Sequence, residues 1–308
     1  MFMFLRQFQY LVALEQEAHF GRAAQRCHVS QPSLSSAIKH LEEELGVPII
    51  KRHQKFHGFT EEGRRVVDWA KRILADKDAM IEELGIMRDD LHGRLRIAAM
   101  PMSMPVIATI DRLFLERHPA VQIDIQFVGL DEMKIGLANF QYDVGITYLE
   151  QQPLERLKTM SLYEESLHLL VADNGWFPGH ESVTWAEAAE LPLCLLSPNT
   201  HERQITDRAF AEANCNPKPR LESNAMINLA FHVMMGGLVT VVPKFFMHAV
   251  GDAPGTRLIL LEEPVVTQCV GLVWIESTPM LPMTKAVVEL MESELSEGAL
   301  DRHIGVRR

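Results

Sequence analysis

Gln31, Ser35, Ser36, Lys39 and His40 fall on one side of a helical wheel: neutral amide and hydroxyl groups with one or two cations and no early carboxylate. Such groups donate to and accept from base edges, which is the chemistry the DNA major groove asks of a helix. The other side carries Leu34, Ile38, Leu41 and Leu45 at spacings of four, three and four, and must be buried. Ser30 suits the N-cap, and Pro32 falls in the first turn, where its missing N–H costs nothing. The helix is therefore predicted to start near Ser30.

A second set of groups suits a small molecule. A strand over 95–100 runs into Pro101-Met102-Ser103-Met104-Pro105, and one over 193–196 runs into Ser197-Pro198-Asn199-Thr200-His201-Glu202-Arg203. In open α/β sheets ligands bind beyond the carboxyl ends of strands, where backbone N–H groups of the following helices converge. Ser103 and Thr200 offer hydroxyls at two such helix starts, which favours a small carboxylate or inorganic oxyanion; each is equally a simple N-cap. Arg203 could meet that anion, or pair with Glu202 or Asp207 on its own helix.

The elements that must hold these groups follow from periodicity. Residues 4–18 repeat Phe8, Leu11 and Val12 as a first helix, and a shorter helix from Ala23 leads through Cys27-His28-Val29-Ser30 into the polar one. After Gly46-Val47-Pro48, Lys51, Arg52, His53, Lys55 and His57 form a basic extended segment, either a hairpin lying along phosphates or a solvated charge run. From Glu61 to Leu91 no proline occurs, and Val66, Ala70, Ile73, Lys77, Met80, Leu84, Met87 and Leu91 make a heptad seam. The seam pairs with a second copy or packs on its own domain. Beyond Gly93, strands and helices alternate, which implies parallel sheet, and the pattern restarts near Leu167 as a second lobe.

At 308 residues the chain suits two or three domains. Residues 1–65 hold nine Lys or Arg against seven Asp or Glu, while the remainder holds 21 against 34, so only the amino-terminal part suits phosphate. Five of the thirteen histidines lie there too: His19, His28, His40, His53 and His57, read mostly as surface or capping residues. The four scattered cysteines form no Cys-x-x-Cys pair, and no nucleophile elbow, phosphate loop or clustered metal ligands are present. No enzyme, cofactor or metal is expected. No apolar run reaches membrane length, so the protein is expected in the cytoplasm, away from membranes.

Phe8-Gln9-Tyr10-Leu11-Val12-Ala13, Phe20-Gly21-Arg22-Ala23-Ala24, Val29-Ser30-Gln31-Pro32-Ser33-Leu34-Ser35 and Leu41-Glu42-Glu43-Glu44-Leu45-Gly46-Val47-Pro48 together resemble the winged helix-turn-helix of LysR-type transcriptional regulators. A weaker likeness continues through Leu95-Arg96-Ile97, Phe140-Gln141-Tyr142-Asp143-Val144-Gly145-Ile146 and Val233-Met234-Met235-Gly236-Gly237-Leu238. The resemblance implies an α/β protein overall. Its parts are a winged helix-turn-helix over 1–60, a linker and dimerisation helix over 61–92, and a two-lobed α/β effector-binding domain over 93–308 that looks like periplasmic binding proteins. Lobe I would take about 93–164 and 268–300, and lobe II about 165–267. It further implies promoter DNA, a small effector, self-association as dimer or tetramer and possible contact with RNA polymerase. DNA contacts would come from Arg22, Gln31, Pro32, Ser33, Ser35, Ser36, Lys39, Arg52 and Lys55, and effector contacts from Met102, Ser103, Gly129, Thr147, Pro198, Asn199, Thr200, Arg203 and Asn224. Many members carry Arg where this chain has Ser36, so affinity is expected to lean on Lys39, Arg52 and Lys55 and to fall steeply with salt. A solute-binding protein without gene control is the alternative that residues 93–308 alone would suggest.

Overall fold

A computed structural model describes residues 5–51, 56–86, 91–150, 157–173, 176–246 and 255–296. The chain divides into two compact units, Met1–Asp90 and Leu91–Arg308. In the first, α1 (Leu5–Glu17), α2 (Phe20–Arg26) and α3 (Gln31–Leu45) precede the long α4 (Glu61–Ile86). Leu34, Ile38 and Leu41 of α3 are fully buried against Leu11 and Leu14 of α1, as their spacing requires. Gly46 ends α3 in the left-handed region at φ +69°, its N–H donating to the Glu42 carbonyl. The Glu42 carboxylate accepts from the N–H groups of Ile49 (2.7 Å) and Ile50 (3.0 Å), which pins the returning strand beneath α3. Ile50 bridges to Phe59 in the antiparallel sense, so the two described flanks of the basic segment run side by side. Arg52, His53 and Lys55 lie outside the described residues. Gly63 lies so close to this segment that a Cβ there would come 2.0 Å from the Ile49 carbonyl oxygen.

The heptad seam is corrected by the structure. Ala70 is fully buried, and Val66 and Ile73 pack on the same core as α1 and α3, so the first half of the seam serves its own unit. Met80 and Leu84 stay more than half exposed, with Ile81 beside them. Met87 lies outside the described residues; Leu91 is beyond the helix and is buried in the core of the second unit. A repeat of seven reports burial but not whose surface provides it.

The second unit contains β1 (Gly93–Ala99), α5 (Met104–Arg117), β2 (Val121–Phe127), α6 (Leu130–Ala138), β3 (Val144–Tyr148), β4 (Leu157–Ala172), β5 (Ser182–Thr184), α7 (Trp185–Ala189), β6 (Cys194–Leu196), α8 (His201–Glu212), β7 (Leu221–Ser223), α9 (Met226–Met234), β8 (Thr240–Pro243), β9 (Thr256–Glu262), β10 (Thr267–Ile275) and α10 (Pro282–Ser296). The main sheet runs β2-β1-β3-β10-β4-β9-β5, with β8 also on β4 and a separate β6-β7 pair. β1, β2 and β3 are parallel, whereas β10 is antiparallel to both β3 and β4, so the expected parallel sheet is in fact mixed. The closing strand and helix return to the first lobe: β10 pairs with β3, and α10 packs on α5 and β1.

β4 joins the lobes. Leu157–Ser166 pair with β10, and from Leu167 onward the same strand pairs with β8 and β9. The block around Asp143 is structural. Its buried carboxylate accepts from the Arg96 backbone N–H (2.7 Å) and guanidinium (2.6 Å), tying β3 to β1. Gly136 and Gly145 make room for the Tyr142 ring and the Met133 side chain.

Candidate nucleic-acid interface and interlobe cleft

At the start of α3 the Ser30 hydroxyl accepts from the Ser33 N–H (3.3 Å) and shares a 2.7 Å hydrogen bond with the Ser33 hydroxyl. This cap satisfies one of the free donors at the helix end and fixes the direction of its first turn. Gln31, Pro32, Ser33, Ser35, Ser36 and Lys39 are all exposed, while Leu34 and Ile38 between them are buried. Lys39 is 3.6 Å from Glu43, both well exposed, a pairing that contributes little and yields readily to a phosphate. His40 is turned partly aside: its Nδ1 lies 3.3 Å from the Gln7 amide and 3.8 Å from Glu44.

His19 caps α2, its Nδ1 accepting from the N–H groups of Gly21 (3.0 Å) and Arg22 (3.3 Å). Arg22 donates to the Glu17 carbonyl (2.5 Å), and its guanidinium remains largely exposed. The result is an exposed polar face on α3, with Lys39 on it and Arg22 exposed on α2. A helix that shows amides and hydroxyls, with its apolar side locked to a three-helix core, can enter a groove without unfolding.

In the second unit the sequence-predicted ligand residues separate into groups. Met102 is buried and lines a cavity of about 20 Å³ with Tyr148, Leu196, Glu202, Thr206 and Met226. Ser103 is buried, its hydroxyl donating to the Met100 carbonyl (2.7 Å) rather than capping α5. Thr147 is fully buried, with its hydroxyl 3.3 Å from the Met100 sulfur. Thr200 caps α8, accepting from the Arg203 N–H (3.3 Å) and donating to the Ser197 carbonyl (2.8 Å). Pro198, Asn199, Gly129 and Asn224 are exposed, and Gly129 opens α6.

Arg203 is a correction. Its guanidinium is buried and donates to Asp207 (2.7 Å), the Leu196 carbonyl (2.6 Å) and Glu222 (2.7 Å), tying α8 to β6 and β7. Of the two uses open to it, the structure adopts the one with Asp207.

Other residues occupy the cleft instead. Tyr148 donates to the buried Glu165 carboxyl over 2.5 Å. Burial pushes Glu165 up to about 7, against the hydrogen bonds from Tyr148 and Tyr163, which favour its charged form; Glu202 nearby raises it further. Burial also raises Glu202. The His201 ring lies 6.3 Å from that of Tyr148, and burial holds its pKa below the ordinary value, with the charges of Arg208 and Lys134 adding to this. Lys134 comes from α6 of lobe I, and His201 and Arg208 come from α8 of lobe II.

A helix-turn-helix with a capped, polar, exposed third helix, followed by a two-lobed α/β domain with a cleft, defines a ligand-responsive DNA-binding regulator. The chain belongs to the LysR family. Residues 5–64 match the family described as bacterial regulatory helix-turn-helix protein, lysR family, and residues 88–296 match the LysR substrate binding domain. It is 25% identical over 301 residues to the DNA-binding transcriptional dual regulator OxyR of Escherichia coli, spanning 97% of this chain and 98% of that one. Full-length OxyR from Pseudomonas aeruginosa, in a variant form, superposes with a TM-score of 0.73 at 26% identity, covering 95% and 97% of the two chains. CbnR in complex with its target DNA shares the fold at 20% identity, with a TM-score of 0.65 and coverage of 94% and 99%. The protein is a transcriptional regulator, not an enzyme. The solute-binding alternative falls with the match over residues 5–64.

Proposed function

We propose that this regulator binds a two-fold promoter site as a dimer or tetramer in the cytoplasm, with α3 of each copy in the major groove and Gln31, Ser33, Ser35 and Ser36 against base edges. Pro32 would pack beside them, and Arg22, Lys39, Arg52 and Lys55 would meet phosphates. The observation that carries this is the exposed row of neutral donors and acceptors on α3 above a fully buried Leu34-Ile38-Leu41 stripe. Pairing is supported by the exposed Met80, Ile81 and Leu84. A groove of about 590 Å³ in the same unit, lined by Tyr10, Val12, Val29, Leu74 and Lys77, could receive a partner helix. Titrating binding at rising salt tests the phosphate part. With Arg22, Lys39, Arg52 and Lys55 neutralising four phosphates per copy, log affinity falls against log salt with a slope of about −7 for a dimer. A flat series contradicts it.

The effector we propose is a small carboxylate or oxyanion held at the cleft mouth. Support comes from the positive charges of Lys134 in lobe I and Arg208 in lobe II, both of which act on His201 at the amino-terminal end of α8. An anion there would draw the lobes together and bias the assembled form on DNA. A thermal-shift screen with small carboxylates and oxyanions checks this. A ligand at one hundred times its dissociation constant adds about 2.7 kcal/mol, a shift of several degrees that Lys134→Ala should remove. No shift with any anion, or a shift with amines instead, contradicts it. The peroxide in some relatives' names is said of those proteins and is not carried over to this chain. RNA polymerase is the partner through which such a regulator would act. Among the described residues no helix is long and apolar enough to cross a membrane.

A further inference from the structure

Glu165 stands where β4 changes lobes. It faces Gln268 of β10 in register, and two residues later Leu167 pairs with Pro243 of β8. Its side chain is 3% exposed. The groups turned on it come from every side of the junction: Tyr148 from β3 of lobe I, Tyr163 from β4 itself and Glu202 from α8 of lobe II. Tyr148 is a hydrogen-bond donor to Glu165 at 2.5 Å, and Tyr148 and Glu202 line the same small cavity, which has room for about one water. His201 is a further titratable neighbour among the described residues, its ring tilted beside that of Tyr148. No carboxylate pair can be held this way at low cost while both members are charged, because burial removes the water that would screen them.

We propose that Glu165 is a proton-operated latch between the lobes: protonated, it lets Tyr148, the hinge strand and Glu202 pack together, and loss of the proton loosens that junction. Separation of the lobes would admit water to Glu165 and return its carboxyl to the ordinary range. Closure therefore takes up a proton, and the closed arrangement is favoured on the acid side. This coupling needs no effector, so it stands or falls apart from the anion proposed above.

A carboxyl that holds its proton more tightly in the packed state contributes stability that is fully present below the ordinary carboxylate range and is lost as pH rises through about 7. His201 acts with the opposite sign. Its pKa is lowered, so its contribution is lost as pH falls below the ordinary imidazole value, and the two are separable by direction.

The test is thermal melting of the full chain between pH 5.5 and 8.5, with amide exchange over residues 157–172 corrected for its intrinsic pH dependence. The wild type should lose melting temperature and hinge protection from pH 6 to 8, whereas Glu165→Gln, a permanent mimic of the protonated acid, should keep its hinge protection and lose clearly less melting temperature, the remainder coming from Glu202 and Asp111, which burial raises in the same direction. Tyr148→Phe removes a bond that favours the charged form, so it should move the transition to higher pH. A Glu165→Gln protein with the wild-type slope overturns the proposal. Should Glu165→Gln not fold, Tyr148→Phe decides: an upward displacement supports the latch, and an unmoved or lowered transition overturns it.

Discussion

Replacing Gln31 and Ser35 together by alanine is expected to lower affinity for an operator fragment by roughly 10- to 1,000-fold while leaving the melting temperature within a degree or two. A lost base contact costs about 1–3 kcal/mol of discrimination, and the two sites lie one turn apart on the same exposed face. Neither side chain supports the fold. Both are exposed, the cap is made by Ser30 and Ser33, and the core is made by Leu34, Ile38 and Leu41. Fluorescence anisotropy with specific and scrambled duplexes measures the effect: specific affinity should collapse toward the scrambled value, which should hardly move. A parallel fall on both duplexes would mean that these residues position the protein without reading sequence.

The second large effect lies on α4. Met80→Asp with Leu84→Asp places two carboxylates on positions that are more than half exposed in the single chain, so folding is untouched. A paired apolar face cannot accept them, because burying unpaired charge costs several kcal/mol. Analytical ultracentrifugation should show the mass fall by half at micromolar concentration. Operator affinity should drop at least about 100-fold as the second half-site becomes an independent event. Ala70→Asp is the contrasting variant. Ala70 is fully buried against α1 and α3, so this change should unfold the amino-terminal unit rather than dissociate it.

How much of this was legible beforehand varies with how local the cause is. The capped start of α3, its buried stripe and its glycine end follow from residues within a few positions of one another, and periodicity reads them directly. The α4 seam shows the limit of that reading. Val66, Ala70 and Ile73 are apolar for the sake of α1 and α3, and nothing in their spacing separates them from Met80 and Leu84. β4 was missed over residues 157–166 because Lys158, Thr159, Glu164 and Glu165 look like a polar connection. Only pairing with β10, about a hundred residues later, turns that stretch into sheet. Glu165 belongs to the same class: its burial depends on Tyr148 and on α8, and no local pattern announces it. Arg203 was open between two uses until β7 brought Glu222 beside it.

DNase footprinting of the purified full chain on the intergenic DNA next to its own gene, with wild type and the Gln31→Ala, Ser35→Ala pair side by side, bears most directly on base reading by α3. Two protected half-sites with inverted symmetry, their centres an integral number of helical turns apart, should appear with wild type and vanish with the pair at the same concentration. Wild-type protein that protects nothing on that DNA, or a paired variant with an unchanged footprint, contradicts the account.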